Sequence, residues 1–260
     1  MKRSETPTGC PDAHIGGNNL IAYNRIPASG ITQFQVLGER CTGTNYMRFL
    51  LERNTQLAGT RKYGWTHGFP GFTAIFPTDL IVIMFREPES WLKSLYTKPF
   101  HVPDEFTNIS FSEFLRSPWI TVLDRPRGMS ALRGRKALGL PVQADRHPIT
   151  GTPPANPVQL RNTKHAAFWG ILNRDCNVAL VRHSDLIGNP QAVLRAIRDV
   201  FDLKINAGKL ILPSTWLGKF GRTLSGPRRS EPVFTQEDRD FLSSELDHEM
   251  EGRLGFSSFR

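Results

Sequence analysis

Apolar residues recur along this chain in two rhythms, and the alternation between them predicts its architecture. Phe34-Gln35-Val36-Leu37 reads as a short buried strand, and Tyr46, Met47, Phe49, Leu50 and Leu51 then return at helical spacing. Asp79 to Phe85 is a continuous apolar run suited to a strand covered on both faces. Glu87-Pro88-Glu89-Ser90 opens a helix carrying Trp91, Leu92, Leu95 and Tyr96, with proline and acids in its first turn. Further on, the pattern predicts a helix near Thr163 to Asn173 and a strand at Val178 to Arg182. A helix over Pro190 to Phe201 presents Val193, Ile197 and Val200 on one face. A last one spans Gln236 to Arg253 on a stripe of Phe241, Leu242, Leu246 and Met250. Strands alternating with helices predict an α/β fold with a mostly parallel central sheet flanked by helices. Residues 1–28 are polar and dotted with Pro, Gly and Asn, and read as a flexible arm ahead of a single domain over 29–260. Residues 101–160 are irregular, proline-rich from about 116, and predict a lid or insertion on the acceptor side.

Composition narrows the class. A chain of 260 residues with 39% hydrophobic and 22% charged residues can bury one proper core. No apolar run is long enough to span a bilayer, and the first residues lack the apolar stretch of a secretion signal, so the expected compartment is cytoplasmic. Cys10, Cys41 and Cys176 are odd in number and widely spaced, which predicts neither a disulfide framework nor structural zinc. The net charge of +9 points to an anionic partner or to a solvated basic surface.

Three features offer chemistry. Gly38-Glu39-Arg40-Cys41-Thr42-Gly43-Thr44-Asn45, set between a strand and a helix, has the frame of a phosphate loop whose N–H groups converge on an anion. The lysine that reaches terminal phosphates in nucleoside triphosphatases is replaced by Thr44, so the loop does not look built for ATP or GTP hydrolysis. Arg86 ends the apolar strand and offers a planar fork to phosphate, with Ser94 in the helix behind it; a salt bridge to Glu87 or Glu89 is the plainer alternative. His67, in Thr66-His67-Gly68-Phe69-Pro70, has the right chemistry for a general base, although a lone loop histidine is more often simply solvated.

In their order and spacing these segments resemble the sulfotransferases that use 3′-phosphoadenosine 5′-phosphosulfate (PAPS). Cys41-Thr42-Gly43-Thr44-Asn45-Tyr46 is similar to the family's 5′-phosphosulfate loop. Trp65 to Pro70 with Ile75-Phe76-Pro77-Thr78 resembles its histidine segment, and Arg86 to Tyr96 its 3′-phosphate signature. His183-Ser184-Asp185-Leu186 followed by Asn189-Pro190 resembles a later family segment. The resemblance implies a P-loop sulfotransferase architecture. Arg40, Cys41, Thr42, Gly43, Thr44, Asn45 and Tyr46 would hold the 5′-phosphosulfate and adenine, with backbone N–H groups and hydroxyls on the anion. Arg86 and Ser94 would take the 3′-phosphate, His67 would be the base, and Arg40 would stand in for the loop lysine that is Cys41 here. It implies PAPS as donor, no metal, and a small-molecule or glycan acceptor, carbohydrate among the candidates. The family lysine before the Thr-His pair is Trp65. The late basic motif has only Arg228 and Arg229 as a weak counterpart, while Arg125, Arg127, Arg133 and Arg135 hint at an acidic or carbohydrate acceptor. Cys41 reads as structural, with the helix N-terminus and Arg40 placed to lower its thiol pKa.

Other classes fit less of the chain. A P-loop kinase would need magnesium and the missing lysine. A non-catalytic nucleotide- or glycan-binding protein is encouraged by the lost lysines. Specific nucleic-acid binding rests on charge alone, with no helix-turn-helix, zinc-finger or aromatic RNA-binding signature.

Overall fold

The computed structural model describes residues 14–15, 20–26, 30–124, 138–204, 206, 208–213 and 230–256. Its centre is a six-stranded sheet built from β1 (His14–Ile15), β2 (Ala22–Asn24), β3 (Gln33–Gly38), β4 (Ala58–Gly59), β5 (Asp79–Phe85) and β6 (Asn177–Arg182), in the order β1-β2-β6-β5-β3-β4. The four strands from β6 to β4 run parallel; β2 joins β6 antiparallel and β1 joins β2 antiparallel. All seven residues of β5 are buried, as its unbroken apolar run predicts.

Alternate β5 side chains face opposite layers. Leu80, Val82 and Met84 pack with Met47, Leu50 and Leu51 of α1 (Thr44–Asn54) and with Val193 and Ile197. Ile81, Ile83 and Phe85 pack with Phe168, Met250 and Leu254. Helices therefore cover both faces, giving a three-layer α/β unit. Glu87 caps α2 (Pro88–Thr97) by accepting from the N–H groups of Glu89 and Ser90 at 2.9 and 2.8 Å, and Pro88 occupies the first turn, where no donor is lost.

Several boundaries differ from expectation. Leu20, Ile21 and Ala22 are buried and Ala22–Asn24 pairs with β6, so the end of the presumed arm belongs to the sheet. The region read as an irregular lid contains α3 (Phe111–Arg116), opened by a Ser110–Glu113 capping box, and Phe114 and Trp119 lie in a third apolar cluster. Arg125, Arg127, Arg133, Arg135, Arg228 and Arg229 fall outside the described residues. Next, α4 (Pro157–Trp169) starts earlier than the pattern suggests, because Asn156 caps it and Pro157 opens it. After α5 (His183–Gly188) and α6 (Pro190–Phe201), the predicted last helix breaks at Leu246 into α7 (Gln236–Glu245) and α8 (His248–Arg253), the second capped by Asp247.

The parallel register sets Gly38 beside Met84, and Phe85 beside Arg182. The residues that follow β3, β5 and β6 therefore leave the sheet at one edge, beyond the strand C-termini. That is where open α/β sheets hold ligands. Among the described residues no helix is long and apolar enough to cross a membrane.

Candidate functional site

The loop after β3 needs its glycines. Gly38 has φ +148, and a Cβ there would stand 2.7 Å from the carbonyl oxygen of Met84. Gly43 caps α1 at φ +84, where a Cβ would press within 2.9 Å of the His183 ring. Cys41 is also left-handed, at φ +64. The resulting turn leaves the N–H groups of Gly43, Thr44, Asn45 and Tyr46 without an acceptor among the described residues. The Thr42 hydroxyl is fully buried and donates to the Glu39 carbonyl at 2.7 Å, so it closes the loop and does not face a ligand as expected.

Residues distant in sequence converge on this loop. The N–H of Gly38 donates to the carbonyl of Thr66 at 3.0 Å, and Nδ1 of His67 lies 2.8 Å from the carbonyl of Gly38. A carbonyl only accepts, so the neutral ring carries its proton on Nδ1 and keeps a lone pair on Nε2. Burial, with Arg40 and Lys164 nearby, pushes the His67 pKa down to about 3. The ring is therefore neutral through the physiological range.

Arg86 donates from Nη1 to the Cys41 carbonyl at 2.9 Å and from Nε to Ser90 Oγ at 3.2 Å. The alternative salt bridge to Glu87 or Glu89 is absent: Glu87 caps α2 and Glu89 meets Arg239 at 3.3 Å. Among the described residues this guanidinium has no carboxylate partner. Ser94 accepts from Cys41 Sγ through its carbonyl at 3.6 Å, which puts it beside the loop. The Cys41 thiol is pushed up by burial, which outweighs the Ser94 hydrogen bond, Arg86 and Arg40, so the lowering its neighbours could bring does not prevail. His183 packs on Gly43; burial first, and Arg86 second, lower its pKa to about 4.

Arg40 is placed differently from expectation. It is 3% exposed, pairs with Asp145 at 2.7 Å, and lies over Trp65 and Trp119 at 4.9 and 5.3 Å from the ring centroids. Its charge is thus turned inward and matched, away from the mouth of the loop. Asp145 also meets Lys164, wholly buried in α4, at 2.5 Å and accepts from Thr121 and Trp119. Lys164 in turn donates to the His67 carbonyl at 2.7 Å, fixing the histidine segment from below. Although burial alone would raise it, Asp145 is held well below the usual carboxylate range by these two cations and its hydrogen bonds.

Lys164, Asp145 and Glu251 did not stand out in the sequence. Their only signal was an ionisable residue among apolar neighbours, as in Lys164-His165-Ala166-Ala167-Phe168-Trp169. Among the described residues no cluster of three His, Cys, Asp or Glu side chains could hold a metal ion. No protein-family model, curated protein or solved structure matches the chain.

Proposed function

We propose that the protein is a PAPS-dependent sulfotransferase acting on a hydroxyl acceptor. The observation that carries this reading is the meeting of His67 and Arg86 on two carbonyls, Gly38 and Cys41, of one anion-ready loop. The loop's fit is supported by its unpaired N–H groups and by the cradle at Gly43 that a Cβ would fill. Gly43, Thr44, Asn45 and Tyr46 would hold the 5′ end by their N–H groups, and Arg86 with Ser94 the 3′-phosphate. The donor supplies a sulfuryl group for in-line transfer to the acceptor oxygen. His67 takes the hydroxyl proton on Nε2, while Nδ1 stays bonded to Gly38. The N–H groups at the start of α1, aligned with its dipole, stabilise negative charge that grows on the departing phosphate.

A second reading is favoured by the fate of Arg40: with that cation sealed against Asp145, the same pocket would bind the nucleotide without transferring anything. Calorimetry with adenosine 3′,5′-bisphosphate and transfer assays with radiolabelled PAPS over glycans, phenols and lipids separate the two. Binding lost on Arg86→Ala, together with label transfer, is expected. Binding without transfer to any acceptor class selects the second reading. Heat protection by magnesium–ATP and none by the bisphosphate overturns both.

A further inference from the structure

Beneath the loop three buried titratable groups meet with polar atoms left unpaired. Glu39, the first residue past β3, is 2% exposed, and its Oε2 has no hydrogen-bond partner among the described residues. It lies 3.8 Å from Nε2 of His165, whose Nδ1 lies 3.6 Å from Oε1 of Glu251. Arg161 meets both oxygens of Glu251, at 2.7 and 2.8 Å, and keeps it ionised with a pKa lowered to about 2. The His165 proton therefore belongs on Nδ1, toward Glu251, and the Nε2 lone pair faces Glu39. A carboxylate facing a lone pair is repelled, whereas a carboxylic acid is complementary to it.

The other charged groups around Glu39 are Arg161 and Lys164 from α4, Arg40 from the loop and Asp145 from the segment before α4. Arg161 is already matched to Glu251, and Arg40 and Lys164 share Asp145. Burial outweighs what attraction remains and pushes Glu39 up to about 7. His165 is pushed down to about 4 by burial and Arg161.

We infer that one buried proton, held between Glu39 and His165, controls how tightly the loop at 38–46 grips an anion, so that anion binding takes up a proton. Glu39 is rooted in the loop itself, its carbonyl bonded to the Thr42 hydroxyl. Losing the proton places a negative charge in a water-poor site on the loop's own chain, four residues before Gly43, whose N–H would hold the ligand. The inference deepens the proposed function, resting on one part of it, the loop as an anion site.

Inorganic sulfate is the probe, because it stays a dianion while nucleotide phosphates titrate. Calorimetry at pH 6 and pH 8 should show wild-type affinity about tenfold weaker at the higher pH, the change set by one group titrating near 7. His67, His165 and His183, lowered to about 3 and about 4, stay neutral in this window. Glu39→Gln should bind sulfate equally at both values, with the affinity of the wild type at pH 6. Heats of wild-type binding in two buffers of different ionisation enthalpy should report proton uptake at pH 7, a readout that survives if the variant does not fold. Equal wild-type affinities, no proton uptake, a retained pH dependence in Glu39→Gln, or no sulfate binding at either pH overturns the inference. A bisphosphate that fails to bind while sulfate binding stays proton-coupled sinks the nucleotide reading and leaves this one standing.

Discussion

Replacing Asp145 by Asn tests the buried ion network most directly. The side chain is 3% exposed, and the carboxylate neutralises both Arg40 and Lys164, at 2.7 and 2.5 Å. Removing one partner from a buried pair costs about 3–5 kcal/mol, because the remaining charge is left uncompensated. Asparagine keeps an oxygen for one cation and contacts for Thr121 and Trp119, so the lower end, about 3 kcal/mol, is expected. A chain of this length unfolds with an entropy of about 0.5 kcal/mol/K, so the melting temperature should fall by about 6 °C. Calorimetry and urea titration at pH 7 measure both quantities. The sign of the pH dependence follows from the depressed Asp145 pKa: its stabilisation is complete above the ordinary value of 3.8 and fades as pH falls below it. The gap between wild type and variant should therefore narrow by about 1 kcal/mol at pH 3. A gap below about 1 kcal/mol at neutral pH, or one that does not shrink in acid, would refute the reasoning.

Gly38→Ala should lose about 1–3 kcal/mol of stability and all measurable sulfate binding, since a Cβ would stand 2.7 Å from the Met84 carbonyl and distort the loop; chemical denaturation and calorimetry check this. His67→Gln keeps a donor for Gly38 but removes the proton acceptor. Turnover should drop by about 10²–10⁴-fold while bisphosphate affinity stays within a factor of about two, as single-turnover assays and calorimetry would show. Because His67 is held to about 3, its carbon-bonded proton resonances in the free protein should not titrate between pH 8 and pH 5, and a midpoint near 6 would contradict the part-buried placement beside Arg40 and Lys164.

Strands β3, β5 and β6 and the loop were legible in the sequence because their signals are local, whereas the short β1, β2 and β4 were not. The apolar run of β5 reports a strand covered on both faces, and Gly38 and Gly43 mark the turn. The break at Leu246 was hidden because Leu246 and Met250 continue the apolar stripe across it; the Asp247 cap, which restarts the helix, was the overlooked signal. The early start of α4 was masked by prolines read as part of an irregular lid, although Asn156-Pro157 is a helix-opening pair. His67, Arg86 and the loop could be grouped in the sequence because their order and spacing resemble those of the sulfotransferases. Asp145 and Glu251 could not, since Arg40 and Arg161 lie 105 and 90 residues from them and burial alone reveals the pairs.

The inward turn of Arg40 changes how the missing lysine should be understood. The buried set under the loop holds three cations, Arg40, Lys164 and Arg161, against two obligatory anions, Asp145 and Glu251. While Glu39 keeps its proton, one positive charge is left over among these residues and shielded from water. Once Glu39 ionises, that surplus disappears. A lysine in the loop would supply its charge as an exposed point that salt can screen. A buried surplus is screened far less than an exposed charge by ions in solution. A loop with no lysine of its own would then draw on that surplus to hold an anion, and losing the Glu39 proton would weaken the grip by about the tenfold expected above.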